Sequence, residues 1–196
     1  QAAVCVVMAA SGYTASYKKG SIISGLKKAG SFPNVKIIHA GTMQKDGDIV
    51  SLDIGVWHRG MCTDMAVTVP VGNVSPAAKK LIQVTKESML RGIGAVHGDA
   101  PVSAIGRAIE TFIKPHGYGV VRDLVGHGVG KAVHEGPQIP HFYDPRSDKA
   151  ILKSGMTIAV EPMILAGDWR VKFSDDGWTV LSADGSLGAH FEVTIL

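Results

Sequence analysis

The chain has 196 residues, of which 45% are apolar and 19% are charged, and its net charge is +3 at pH 7. This apolar fraction excludes intrinsic disorder for most of the chain, and the length favours a single domain with a sizeable core. The basic residues form scattered pairs such as Lys18-Lys19, which disfavours nucleic acid as a partner, and the longest apolar run, 2–10, is about half of the roughly 20 residues that a membrane span needs.

The clearest local pattern is a β-hairpin in the first half of the chain. Residues 49–57 and 61–71 are rich in β-branched and apolar side chains, and they flank a turn at 58–60. Before them the sequence has only weak signals, a short helix over 21–28 and a short strand over 35–38. The sequence therefore predicts secondary structure clearly only from Asp48 onward.

Two helices are predicted to follow the hairpin. Ser75-Pro76 combines an N-cap residue with a proline at the first helical position, and apolar residues recur after it at three- and four-residue spacing. A second helix is predicted over 102–114, where Pro115 and Gly117 end it.

The last third of the chain is predicted to be mostly strands. These are 119–125, 156–165 and a closing hairpin formed by 178–181 and 189–196, with a turn at Asp184-Gly185. A hairpin, two helices and further strands in this order indicate an α+β domain, with helices packed on a curved, mostly antiparallel sheet.

Asp53 and Asp64 lie within the two strands of the predicted hairpin. If the turn is centred between His58 and Arg59, the two aspartates face each other directly, with Cβ atoms about 5 Å apart on one face. Two negative charges so close destabilise each other unless a cation lies between them or one carboxyl keeps its proton. The alternative, two solvated aspartates on an exposed face, is disfavoured by their apolar neighbours.

Three more residues extend this pattern. His127 lies within the glycine-rich segment 126–130, and Glu161 and Glu192 each interrupt an apolar, strand-like run. One buried acid can be bonded to the backbone or to arginine, but four such acids indicate a shared ligand. Carboxylates with an imidazole suit Mn, Fe, Co or Zn, and four carboxylates balance the charge of two divalent ions. The residues therefore predict a two-metal hydrolase, in which the metals lower the pKa of a shared water.

The order and spacing of these residues match a known family. The matching segments are DIVSLD (48–53), CTDM (62–65), GHGVG (126–130), VEPM (160–163), DGWTV (176–180) and FE (191–192). Over residues 46–196 the sequence resembles type I methionine aminopeptidases, which are metallopeptidases of the pita-bread fold. The resemblance implies an α+β pita-bread fold, a curved and mostly antiparallel sheet covered by helices, with a two-metal site in the sheet. It also implies one catalytic domain over 1–196, with a short divergent N-terminal part (1–45) and a metal-binding core (46–196).

The resemblance further implies the roles of individual residues. Two divalent ions (Co, Mn, Fe or Zn) would have five ligands, which are Asp53, Asp64, His127, Glu161 and Glu192. Asp64 and Glu192 would bridge the ions, and Glu161 would help to activate the bridging water. His134 and His39 would be active-site histidines that contact the substrate, and Trp178 would line the pocket for the methionine side chain.

The implied reaction is removal of the initiator methionine from new polypeptides by a metal-bound hydroxide. The expected partner is the N-terminus of nascent peptides at the ribosome, for a cytoplasmic monomer without nucleic-acid specificity or membrane binding. The two cysteines, Cys5 and Cys62, agree with reduced thiols in a cytosol.

Two alternatives remain open at this point. Proline-specific peptidases of the aminopeptidase P and prolidase kind share the fold and the ligands, although VEPM and DGWTV favour the methionine enzyme. A truncated, weakly active or non-catalytic binding relative is the second alternative, and the presence of all five ligands disfavours it.

Overall fold

A computed structural model describes residues 47–174 and 179–196, together with the backbone of residues 4–8. The strands are β1 Val4–Met8, β2 Ile49–His58, β3 Met61–Pro70, β4 Gly119–Val120, β5 Gly126–Gly128, β6 Glu135–Ile139, β7 Ile158–Val160, β8 Met163–Leu165, β9 Val171–Phe173, β10 Val180–Ser182, β11 Gly188–His190 and β12 Glu192–Ile195. The helices are α1 Pro76–Gly94 and α2 Ser103–Ile113, with 3₁₀ turns at Lys114–His116 and Pro145–Lys149. His39, Trp178 and the elements predicted over 21–28 and 35–38 lie outside the described residues.

Most of the strands belong to one antiparallel sheet. In the described part of the chain its order is β1-β2-β3-β12-β7-β5-β6, and a smaller sheet has the order β11-β8-β4. Strand β12 therefore lies between β3 of the hairpin and β7 of the second half of the chain, and it joins the two halves. The predicted α+β class, with a mostly antiparallel sheet and few helices, is confirmed.

The two helices cover the sheets and form the core with them. Ser75 caps α1, since its hydroxyl accepts a hydrogen bond from the Ala78 backbone N–H at 3.1 Å, and Pro76 is the first helical residue. Leu81 of α1 and Ile105 and Ile109 of α2 are fully buried in the main apolar cluster. Both predicted helices are confirmed, and neither helix is long and apolar enough to cross a bilayer.

The hairpin differs from the predicted one in its register. Its two turn residues are Arg59 and Gly60, whose φ angles of 50° and 86° are positive, as in the two-residue turns that match the twist of paired strands. The turn centre is one residue later than expected, so Asp64 faces Gly55, and Asp53 faces Ala66. The prediction that the aspartates face each other directly is wrong, although they lie diagonally on the same face because side chains alternate with a period of two.

The predicted strand over 156–165 is two strands in two different sheets. Strand β7 pairs with β12 and β5, whereas β8 pairs with β11 and β4. Glu161-Pro162 separates them, since proline has no N–H to continue the ladder. The strand predicted over 119–125 is confined to Gly119–Val120.

The predicted closing hairpin is also wrong. Strand β10 pairs with β9, not with the last strand of the chain. The segment predicted as one strand over 189–196 divides into β11 and β12, which belong to different sheets. The break falls at Phe191, between His190 and Glu192, so the backbone passes from one sheet to the other within three residues.

Candidate metal centre

The five predicted ligands lie on, or directly after, five neighbouring strands of the main sheet. Asp53 lies in β2, Asp64 in β3, Glu192 at the start of β12, Glu161 directly after β7 and His127 in β5. These strands are adjacent in the order β2-β3-β12-β7-β5. The sheet thus brings together side chains that are far apart in the sequence.

The side-chain donor atoms converge in three overlapping groups, and within each group they lie within 4.8 Å of one another. The groups are Asp53, Asp64 and Glu192; His127, Glu161 and Glu192; and Asp64, His127 and His134. Asp64 and Glu192 each belong to a group that contains His127 and to a group that contains Asp53. They therefore occupy the middle of the cluster, between the imidazole side and the Asp53 side.

Three carboxylates of this cluster, those of Asp64, Glu161 and Glu192, are buried, whereas Asp53 is exposed. Burial raises the pKa of Glu161 to about 8, and the charges of Asp64 and Asp53 act in the same direction. Burial likewise raises the pKa of Glu192 to about 9, with further contributions from Glu161, Asp64 and Asp53. The pKa of Asp53 is raised too, first by burial and then by the charge of Asp64. Without a cation the cluster therefore retains protons at neutral pH.

Two buried oxygens of the cluster have no hydrogen-bond partner among the described residues. They are Oε1 of Glu161 and Oε1 of Glu192. A buried carboxylate oxygen without a partner is costly, and a cation between the carboxylates would satisfy both atoms. The donor set of four carboxylates and an imidazole fits divalent ions such as Mn, Fe, Co or Zn.

His127 is oriented by its own backbone. Its Nδ1 lies 2.9 Å from the carbonyl oxygen of Gly128, and because a carbonyl only accepts, Nδ1 carries the proton. In the neutral ring Nε2 then has a free lone pair, and it lies 3.2 Å from Glu161 Oε1. Holding the remote nitrogen in this way fixes the tautomer that a metal-binding imidazole requires.

The glycines on either side of His127 allow close packing of the neighbouring strands. A Cβ atom on Gly126 would clash with the carbonyl oxygen of Ala159, and one on Gly128 would clash with that of Gly136. The register between β5 and β6 also shifts between His127 and Gly128, which is a common way to redirect a side chain at a site. The glycine-rich motif is therefore explained by packing around the histidine.

Thr194 holds the backbone of Asp64, and sequence reasoning missed it. Its hydroxyl accepts a hydrogen bond from the Asp64 N–H at 2.7 Å and donates one to the Asp64 carbonyl at 2.8 Å. Thr194 lies two residues after Glu192 in β12, so both side chains are on the same face of that strand. That spacing is the signal that could have identified it.

Two further histidines lie behind Glu161, and the sequence analysis did not identify them. His141 is fully buried, and its Nε2 accepts a hydrogen bond from the Glu161 backbone N–H at 3.0 Å. Burial lowers the pKa of His141 to about 3, with smaller contributions from His190 and His127, and burial lowers the pKa of His190 to about 4. His190 Nε2 lies 3.8 Å from Glu161 Oε2. Both rings are therefore neutral at physiological pH.

His134 lies at the open side of the cluster. Its side chain is exposed, and its ring centroid is 4.3 Å from that of His127, with the rings at 70°. This location suits contact with a substrate that approaches the cluster from solvent. The predicted roles of His39 and Trp178 concern residues outside the described ones.

Comparison with known proteins identifies the family. Residues 5–196 match the metallopeptidase family M24. The chain belongs to this family. As a metallopeptidase of family M24 it shares with that family a dependence on divalent metal, which agrees with the unsatisfied carboxylate oxygens described above.

Among M24 proteins the chain is similar to methionine aminopeptidases. It is 47% identical to the methionine aminopeptidase of Clostridium perfringens over 166 residues. The matched region covers 83% of this chain and 66% of the relative. The crystal structure of a methionine aminopeptidase from Thermotoga maritima matches it with a TM-score of 0.75 and 43% identity, over 79% of this chain and 61% of that one. The prolidase from Pyrococcus furiosus matches with a TM-score of 0.62 and 25% identity, over 80% of this chain and 40% of that one.

The chain thus spans about two thirds of the length of the methionine aminopeptidases that it matches. The predicted family resemblance and pita-bread fold are confirmed by these matches. Higher identity to the methionine enzymes than to the prolidase also favours the first of the two peptidase readings.

Proposed function

We propose that this M24 chain is the catalytic part of a methionine aminopeptidase, which removes the initiator methionine from new polypeptides. The main support is the convergence of four carboxylates and an imidazole on five neighbouring strands, in a chain that is 47% identical to a methionine aminopeptidase. Prolidase-type activity has weaker support, since the prolidase from Pyrococcus furiosus is 25% identical.

The proposed centre would hold two divalent ions. His127 and Glu161 would hold one ion and Asp53 the other, while Asp64 and Glu192 would bridge them. The overlap of the three donor groups supports this division, because Asp64 and Glu192 are the residues that approach both His127 and Asp53. Bound ions supply Lewis acidity and lower the pKa of a water molecule toward neutrality.

The remaining steps depend on protein side chains. Glu161 accepts a proton from the attacking water and returns it to the leaving amine, a role that requires its carboxylate next to the reacting atoms. His134, exposed beside His127, donates a hydrogen bond to the oxygen of the scissile peptide and stabilises the charge that develops there. His39 and Trp178 remain proposed contacts to the substrate.

A peptide panel tests the proposal. The purified protein, loaded with Mn²⁺ or Co²⁺, is assayed on Met-Ala-Ser, on the same peptide with other first residues, and on Xaa-Pro peptides. We expect release of methionine from Met-Ala-Ser and little cleavage at Xaa-Pro bonds. Cleavage confined to Xaa-Pro peptides would overturn the assignment in favour of a prolidase-type enzyme.

The matched control for this assay is Asp64→Asn. The substitution keeps the size of the side chain and removes a charge from the middle of the donor cluster. We expect at least a 100-fold loss of turnover, on the order of the losses seen when groups in direct contact with the reaction are removed. Equal turnover of the two proteins would exclude the two-metal assignment.

The similarity to methionine aminopeptidases is also the basis for proposals on location, oligomeric state and domain organisation. We propose that the protein acts in the cytoplasm as a monomer on nascent N-termini at the ribosome. We also propose that residues 46–196 form the metal-binding core and residues 1–45 the N-terminal part of one catalytic domain.

A further inference from the structure

Glu161 is surrounded by three imidazoles, of which only His127 belongs to the predicted ligand set. His127 Nε2 approaches Oε1 at 3.2 Å, His141 accepts from the backbone N–H at 3.0 Å, and His190 Nε2 approaches Oε2 at 3.8 Å. In the first two contacts the ring nitrogen already has a role. Nε2 of His127 would bind the metal, and Nε2 of His141 accepts the hydrogen bond from the Glu161 N–H. His190 has no assigned task.

The backbone of His190 is fixed by Thr68 of β3, a strand of the other sheet. The Thr68 hydroxyl accepts a hydrogen bond from the His190 N–H at 2.8 Å and donates one to the His190 carbonyl at 2.8 Å. Ser51 Oγ lies 2.8 Å from the same hydroxyl and supports it from β2. The imidazole is therefore attached to a backbone whose N–H and carbonyl groups are both bonded to the Thr68 hydroxyl.

The facing nitrogen of His190 is a buried polar atom without a hydrogen bond in the described structure. The side chain is 14% exposed, and that of Glu161 is 9% exposed. A movement of about 0.6 Å would bring the 3.8 Å pair within hydrogen-bond distance. A lone pair on Nε2 would face the carboxylate oxygen unfavourably, whereas an N–H there would donate to it.

We propose that His190 is a positioning residue, whose Nε2–H donates to Glu161 Oε2 and so directs Oε1 toward His127 Nε2 and the metal. The proposal rests on the metal centre of the proposed function. Its physical basis is that a ligating carboxylate is held by a hydrogen bond to its remote oxygen, and that such a bond to an ionised group is stronger than a neutral one. His190 and the ligand Glu192 lie on either side of Phe191, so β11 and β12 act on the same centre from two sheets.

Metal binding by the metal-free protein tests this directly. Calorimetric titration with Mn²⁺ is compared for the wild type, His190→Leu, which has no donor, and His190→Gln, which has an N–H donor at similar reach. We expect about a 10- to 100-fold weaker affinity for His190→Leu, and an affinity within about threefold of the wild type for His190→Gln. His97→Leu, at an exposed histidine outside the cluster, is the matched control and should bind as the wild type does.

The outcomes separate the two proposals. If the wild type binds no divalent ion, the proposed function fails. If the wild type binds and His190→Leu binds equally well, only the positioning role is overturned. A Co²⁺ absorption spectrum adds a second readout, since loss of a directly bound nitrogen would change the band positions of His190→Leu, and that change would also overturn the positioning role.

A measurement on the wild-type protein does not depend on whether the leucine variant folds. Nitrogen-15 NMR of the imidazole rings distinguishes Nδ1–H from Nε2–H tautomers. The protein is loaded with Zn²⁺, because this ion is diamagnetic. The signals of His190 are assigned as those that are absent from the spectrum of His190→Gln. We expect His190 as the Nε2–H tautomer. An Nδ1–H tautomer would overturn the proposal, because Nε2 could not then donate to Glu161.

Discussion

At the scale of single residues, three of the five predicted ligands are held by uncharged neighbours. Thr194 holds the backbone of Asp64, and Gly128 holds the ring of His127 through its carbonyl oxygen. His141 holds the backbone of Glu161. The orientation of the predicted ligands therefore depends on neighbours that carry no charge at neutral pH.

Thr194→Val tests the support of Asp64. Valine keeps the shape of threonine but removes both hydrogen bonds, and it leaves the Asp64 N–H without that partner. We expect a loss of about 1–3 kcal/mol in the free energy of unfolding and weaker binding of divalent metal. Urea denaturation and metal titration measure the two effects, with Thr194→Ser, which keeps the hydroxyl, as the control. Wild-type stability and affinity in Thr194→Val would show that the hydroxyl is dispensable.

The sequence predicted the acids of the site better than it predicted the supporting residues. Glu161 and Glu192 are conspicuous because each interrupts an apolar run. His141 and His190 are not conspicuous, since their roles depend on a partner 20 or more residues away and on which nitrogen faces it. Such roles arise from tertiary packing, and local sequence patterns do not predict them.

At the scale of elements, the hairpin turn determines how the two aspartates relate. The two-residue turn at Arg59-Gly60 sets the register in which Asp64 faces Gly55. A turn centred one residue earlier would move every residue of β3 relative to β2 by two positions. The relative location of two ligands thus depends on a turn several residues away from both.

Gly60→Ala tests this dependence. Gly60 has a φ of 86°, and a side chain in the left-handed region costs roughly 1–2 kcal/mol. We expect that decrease in the free energy of unfolding. Arg59→Gly at the neighbouring position, where φ is already positive, is the control and should cost less. Equal stability of Gly60→Ala and wild type by urea denaturation would contradict the assigned turn.

Most of the elements that the sequence mispredicted involve strand pairing. The periodicity of 156–165 and 189–196 correctly indicates extended backbone, but it contains no information on the partner strand. Glu161-Pro162 and Phe191 are the points where the chain changes sheets. At each of them a predicted ligand or its neighbour interrupts the ladder, so the local irregularity is part of the site.

At the scale of the whole molecule, the carboxylate cluster makes the stability of the metal-free protein depend on pH. The pKa values of Glu161 and Glu192 in the folded protein, about 8 and about 9, lie above the ordinary value of 4.5. The folded state therefore binds more protons than the unfolded state, and the associated stability is lost as the pH rises through 8 to 9. The pKa values of His141 and His190 are lowered to about 3 and about 4, so these residues make the stability rise with pH. This rise ends at about pH 6.5, the ordinary pKa of histidine, and above it the two residues add no further pH dependence.

We therefore expect the melting temperature of the metal-free protein to fall between pH 6.5 and about pH 8.5. Divalent metal should raise it more at the upper end, because binding requires the ionised carboxylates. Differential scanning calorimetry with a chelator and then with Mn²⁺ measures both effects. Glu192→Gln, which cannot ionise, should show a shallower decrease than the wild type, and a pH-independent melting temperature in the chelated wild type would contradict the expectation.

The central location of β12 has a consequence for folding. Asp64 and Thr194 are 130 residues apart in the sequence, yet they meet through a strand inserted between two earlier ones. Because contacts between residues so distant in the sequence form more slowly than those of the hairpin or the helices, we expect the five donors to converge late in folding. We therefore expect divalent metal to bind after the sheet has formed, and to stabilise a sheet whose strands are already paired.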